Sequence, residues 1–110
     1  MKGVSLLIRA TCQQFRFKLP YKKEDIKKVQ ITFWQEDNPA LPITKGIEDC
    51  MGDPDSKELY VELDQVATAA FKTDRKAFVQ LRGLTINDFV FGSRVMPITV
   101  YPVKDDTILE

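Results

Sequence analysis

The stretch Val29-Gln30-Ile31-Thr32-Phe33-Trp34-Gln35 decides the fold. Val29, Ile31 and Phe33 share one face, and Gln30, Thr32 and Trp34 share the other, a two-residue period that belongs to a half-buried strand and not to a helix. Its β-branched and aromatic residues suit a pleated surface. The same period recurs on both sides of it. Gln14-Phe15-Arg16-Phe17-Lys18-Leu19 puts Phe15, Phe17 and Leu19 inward, and Pro20 ends that strand because it has no N–H to offer a ladder. Downstream, Glu58-Leu59-Tyr60-Val61-Glu62-Leu63 turns Leu59, Val61 and Leu63 inward. Residues 76–84 do the same with Ala77, Val79 and Leu81, leaving Phe78, Gln80 and Arg82 outside. Residues 94–103 form the last strand, with Met96, Ile98 and Val100 inward.

Between these strands the chain carries turn chemistry. Glu36-Asp37-Asn38-Pro39 reads as a turn, and residues 41–45 as a short strand held to a sheet edge by Pro42. Met51-Gly52-Asp53-Pro54-Asp55-Ser56 reads as loop. Thr85-Ile86-Asn87-Asp88 is a hairpin turn into Phe89-Val90-Phe91, and Gly92-Ser93 allows a kink. At Asp64 the period changes: Asp64 is placed to cap one or two helical turns over residues 65–71. The count is seven or eight short strands and one small helical crossover, which predicts an all-β, antiparallel sandwich. One domain spans residues 1–110, with the acidic stretch 104–110 expected to fray.

Composition narrows the chemistry. The 110 residues include 16 Lys and Arg against 16 Asp and Glu, so no basic excess exists to neutralise phosphates. There is no histidine, which removes imidazole catalysis and most zinc sites. No nucleophile elbow, P-loop or glycine-rich phosphate loop occurs. The pairs Glu48-Asp49 and Asp105-Asp106 fall in loop or tail sequence and read as solvated surface. These features argue against an enzyme and imply no cofactor. Asp53, Asp55 and Glu58 lack the spacing of a calcium loop, so no metal is expected. The lysines at 18, 22, 23, 27 and 28, beside Tyr21, are broken by Glu24 and Asp25 and read as a solvated connection. Cys12 and Cys50 could pair in an oxidising compartment, but no export signal supports that, and two reduced thiols are expected. Leu6-Leu7-Ile8 is too short for a signal peptide core and is interrupted by Arg9. The first ten residues are read as a strand, and no segment approaches the ~20 apolar residues of a membrane span.

The outward aromatics carry the functional reading. By alternation Trp34, Phe78, Tyr60 and Tyr101 point away from the core. Several such rings would make an adhesive patch of the kind enriched at protein interfaces. The alternative is that a bulge or a covering loop hides them. A rival function uses the same rings as stacking platforms for carbohydrate or single-stranded nucleic acid.

The order Phe15-Arg16-Phe17-Lys18-Leu19-Pro20-Tyr21, Val29-Gln30-Ile31-Thr32-Phe33-Trp34-Gln35-Glu36, Leu41-Pro42-Ile43-Thr44-Lys45 and Leu59-Tyr60-Val61-Glu62-Leu63 continues through Thr68-Ala69-Ala70-Phe71, Lys76-Ala77-Phe78-Val79-Gln80-Leu81-Arg82 and Ile98-Thr99-Val100-Tyr101-Pro102-Val103. It resembles short proteins of bacteriophage and prophage tail regions, and the N-terminal immunoglobulin-like domain of phage baseplate upper proteins. The resemblance implies an immunoglobulin-like sandwich acting as a virion structural or tail-baseplate assembly module. It brings no catalytic residues. Its expected partners are other tail or baseplate proteins and further copies of the chain, through sheet faces or strands added at edges.

Overall fold

In a computed structural model, which describes residues 6–105 and 107–109, nine strands form two packed sheets. The first five residues of the expected N-terminal strand, and Asp106 and Glu110 of the acidic tail, lie outside the described residues. The strands are β1 (Leu6–Ile8), β2 (Gln13–Lys18), β3 (Ile26–Trp34), β4 (Ile43–Gly46), β5 (Cys50–Met51), β6 (Glu58–Leu63), β7 (Ala77–Thr85), β8 (Val90–Gly92) and β9 (Met96–Tyr101). Among the described residues one α-helix, α1 (Gln65–Ala69), crosses between β6 and β7, and the Asp64 carboxylate caps it by accepting from the Ala67 N–H at 2.8 Å; 3-10 turns cover Lys23–Asp25 and Ile47–Asp49.

The larger sheet has the order β1-β9-β7-β3-β4, with β8 beside β7; the smaller has the order β2-β6-β5. This is the expected all-β sandwich. All pairings are antiparallel except one: β1 runs parallel to β9, in the register Leu6↔Thr99 to Ile8↔Tyr101. The parallel pair arises because β1 and β2 lie in different sheets. The chain crosses over at residues 9–12, where Thr11 and Thr68 exchange two hydrogen bonds: Thr11 N–H donates to Thr68 Oγ1, and Thr68 Oγ1 donates to the Thr11 carbonyl at 2.7 Å, with the Gln65 carbonyl a longer second acceptor at 3.3 Å.

Several boundaries differ from the periodic reading: the strand expected at 41–45 is Ile43–Gly46, and the one expected at 94–103 is Met96–Tyr101. β3 begins three residues early, at Ile26, because a register shift between Ile26 and Lys28 takes up Lys27 and keeps Ile26 in the core. Met51, expected as the first residue of a loop, instead joins Cys50 in pairing with Tyr60 and Val61 as β5. The kink at Gly92-Ser93 is present. Ser93 takes both backbone groups of Leu81, donating its N–H to the Leu81 carbonyl and accepting the Leu81 N–H on Oγ, so β8 and β9 continue along the same side of β7 with a break between them.

The inward residues are those the alternation marks. Phe15, Phe17, Leu59, Val61 and Leu63 from the small sheet meet Ile31, Phe33, Ala77, Val79, Leu81 and Ile98 from the large one, all essentially inaccessible. Phe15 and Phe33 meet edge-on across the layers with centroids 5.0 Å apart, a favoured arrangement of ring quadrupoles. Both cysteines are free, Cys12 exposed and Cys50 buried.

A polar corner closes one end of the sandwich. Gln35, 5% exposed, donates to the carbonyls of Lys72 and Arg75 at 2.7 and 3.0 Å, and accepts from Lys72 N–H and Asn38 Nδ2 at 2.7 and 2.8 Å. Asn38 also donates to the Ala70 carbonyl, and Arg75 donates to the Glu36 carbonyl. The segment before β7 is thereby fixed to the turn after β3. At the other end of the chain, the Leu109 backbone pairs in both directions with the Gln65 side-chain amide.

Candidate interaction surface

Strand register sorts the outward side chains into two faces of different character. On the small sheet, β2 offers Gln14, Arg16 and Lys18, and β6 offers Glu58, Tyr60 and Glu62. β2 thus supplies the bases and β6 the acids. Arg16 reaches Glu58 at 2.9 Å and lays its guanidinium 4.7 Å from the Tyr60 ring centroid. Tyr60 is therefore a covered member of a charged, solvated surface, the kind of exposed pair that contributes little to stability.

The large sheet's outer face is different. Its cross-strand pairs, read along the strands, are Lys28 beside Leu84, Gln30 beside Arg82, Thr32 beside Gln80, and Trp34 beside Phe78. β4 adds Thr44 next to Thr32, and β9 adds Pro97 next to Phe78. Beyond Pro97 come Thr99 and Tyr101, flanked by Leu6 and Ile8 of β1. Lys28 and Arg82 are the charged residues at these strand positions, and the Glu48 carboxylate folds over Gly46, beside Gln30 at the same end of the face. Neither cation makes an ion pair with a described residue. Between them, with Gln30, Leu84 and Val90, lies a shallow open depression of about 460 Å³ floored by the backbones of Val29 and Gly83.

Trp34 and Phe78 stack with centroids 5.7 Å apart and planes 29° off parallel, each half-buried by the other. Tyr101 is 48% exposed, Leu6 41% and Ile8 39%. Of the four aromatics singled out by alternation, the structure thus brings Trp34 and Phe78 together, puts Tyr101 on the same face, and puts Tyr60 on the opposite one. Leu6, Ile8, Pro97 and the cations Lys28 and Arg82 belong to this face and were not grouped by sequence. Only the β3–β7 and β9–β1 registers reveal that they are neighbours.

The β1 edge of the large sheet is less inviting. On β1 the Gln13 side-chain amide imitates a neighbouring strand: Nε2 donates to the Leu6 carbonyl at 2.7 Å, and Oε1 accepts the Ile8 N–H at 3.0 Å. That ladder edge is occupied, which is how native sheets blunt strand addition.

The basic cluster is dispersed, with Lys23 donating to the carbonyls of Cys50 and Gly52, and Lys27 pairing with Asp88 at 3.3 Å. Among the described residues no group of three or more acidic or thiol side chains could hold a metal ion. Burial, reinforced by the Asp49 charge, pushes the Cys50 thiol up to about 11, which makes it a poor nucleophile. Comparison with known proteins finds no matching family model and no matching curated relative.

Proposed function

We propose that this chain is a non-enzymatic structural or assembly module that works by protein–protein contact through the outer face of its six-stranded sheet. The observation that carries this reading is the sorting of charge. The small sheet's exterior sets the bases of β2 against the acids of β6, whereas the outward strand positions of the large sheet hold stacked aromatics, threonines, exposed aliphatics and two cations, with the Glu48 carboxylate folded over Gly46 at the β4 edge. Depletion of charge with enrichment in aromatics is what distinguishes the centre of an interface from ordinary surface. The strand-order likeness to phage tail-region proteins suggests tail or baseplate proteins as partners.

A photo-crosslinking residue substituted for Phe78, and separately for Glu62, in cells that produce the chain tests this directly. Adducts from position 78, identified by mass spectrometry and absent from position 62, are the expected result. Equal adduct formation from both faces, or adducts to nucleic acid or glycan at position 78, refutes it.

A further inference from the structure

Lys28 and Arg82 stand at an open depression at the charged end of the large sheet's outer face. Resting on the reading just given, we propose that this depression binds an acidic segment of the partner protein. One carboxylate is held between Lys28 and Arg82, and an apolar side chain two residues along the segment lies over Leu84 and Val90.

Register builds the site. One row across the strands reads Gly46-Gln30-Arg82-Gly92, and the next reads Lys28-Leu84-Val90. Lys28 and Arg82 are therefore diagonal neighbours on paired strands, roughly 7 Å apart at Cβ, so both side chains can reach one carboxylate. Both are exposed, and neither has a hydrogen bond or ion pair to a described residue. Two like charges this close repel each other, and an anion seated between them relieves the repulsion. The exposed Gln30 adds an amide donor in the same row.

The surroundings select the occupant. The Glu48 carboxylate over Gly46 closes the β4 end of the Arg82 row to an anion, whereas Gly92 leaves the β8 end of that row without a side chain. An anion therefore enters from the β8 side. Asp88, in the hairpin turn before β8, is paired with Lys27 at 3.3 Å. Leu84 is half-buried and Val90 is 62% exposed, so covering them removes apolar surface from water. The rows are about 6.6 Å apart along the strands, the same spacing that separates residues i and i+2 of an extended peptide. An acid and an apolar residue at that spacing fit the two rows together. The volume of about 460 Å³ suits a few side chains of such a segment. A phosphodiester strand fits less well, because its binding grows with each phosphate neutralised, and here two cations are opposed by a carboxylate.

The test uses a displayed library of random linear peptides, selected on the full chain and counter-selected on Arg82→Glu, whose folding is checked by circular dichroism. Selected peptides are expected to carry an acid two residues from an apolar side chain. Synthetic copies should perturb the amide resonances of Lys28, Arg82, Gly83, Leu84 and Val90. Arg82→Glu and Lys28→Glu should each weaken binding at least about 10-fold, as should amidation of the peptide's acid, while Glu48→Gln should strengthen it about 2-fold or more. No enrichment, selected peptides without acids, or binding indifferent to both charge reversals overturns the proposal. So does a single-stranded oligothymidylate that binds more tightly and displaces the peptides. If the selected peptides instead perturb Trp34 and Phe78 alone, the contact function stands and only this site is lost. If acidic peptides bind at Arg82 while crosslinks from position 78 favour no protein, the site stands and the broader contact reading falls.

Discussion

Replacing Gln35 by methionine keeps the side chain's length and volume but removes four hydrogen bonds in a corner that is 5% exposed. The lost bonds join Gln35 to Lys72, Arg75 and Asn38. At about 1 kcal/mol net for each neutral hydrogen bond, the loss is about 4 kcal/mol. The carbonyls of Lys72 and Arg75 lie towards the surface, so entry of water can recover some of this, and about 2–4 kcal/mol is the expected range. Against a typical domain stability of about 5–15 kcal/mol that is a large fraction. Urea unfolding followed by Trp34 emission reads it, and reads the local consequence as well. Gln35 adjoins Trp34 at the end of β3, so loosening the corner should increase quenching of Trp34 by acrylamide even in the folded state. A midpoint shift equivalent to less than about 1 kcal/mol would refute the view that this amide holds the segment before β7 in place.

Three further outcomes are expected. Gly83→Ala puts a Cβ 2.4 Å from the Phe91 ring, which packs beside Tyr21 at 5.1 Å, so the ring must withdraw at a cost of about 1–3 kcal/mol; a stabilised variant in urea melts would show that the glycine is not kept for this contact. Because the folded state raises Cys50 from 9.0 to about 11, it favours the protonated thiol: that contribution is present below pH 9 and is lost as pH rises through about 11, so the urea midpoint should fall less over this window in Cys50→Ala, and a thiol reagent should label only Cys12 in the native protein at pH 8. Gln13→Ala uncovers the β1 edge, and hydrogen exchange at Ile8 should accelerate at least about 10-fold, equivalent to about 1.4 kcal/mol; unchanged protection would mean that the amide does not guard the edge.

The core was legible because its signal is local. Phe15 and Phe17, Ile31 and Phe33, and Val79 and Leu81 each announce a face through a two-residue period, and burial follows that period strand by strand. The Asp64 cap was legible for the same reason, since the side chain and the N–H it accepts are three residues apart. What sequence did not disclose depends on pairs distant along the chain. Gln35 meets Lys72 only because the turn after β3 folds against the segment before β7. Gln13 looks like one more residue at a strand start, yet its amide serves a different sheet. The outward aromatics showed the same limit. Alternation gives the side of the strand a ring occupies, but not which sheet the strand joins, so Tyr60 and Trp34 read alike until register separates them.

That separation also bears on how such a module can associate. An edge offers backbone groups common to every sequence, so edge pairing is strong but indiscriminate, and the β1 edge is closed by a side chain bound to it. A face offers side chains, and its selectivity is written in their charge and shape. Here the stacked rings of Trp34 and Phe78 stand at one end, and Lys28, Arg82 and the Glu48 carboxylate over Gly46 stand at the other. Recognition through it then rests on apolar ring contact at the first end and on charge at the second. A single charge placed at Thr32 should therefore alter association sharply, while the same charge placed at Glu62 on the opposite sheet should leave it unchanged.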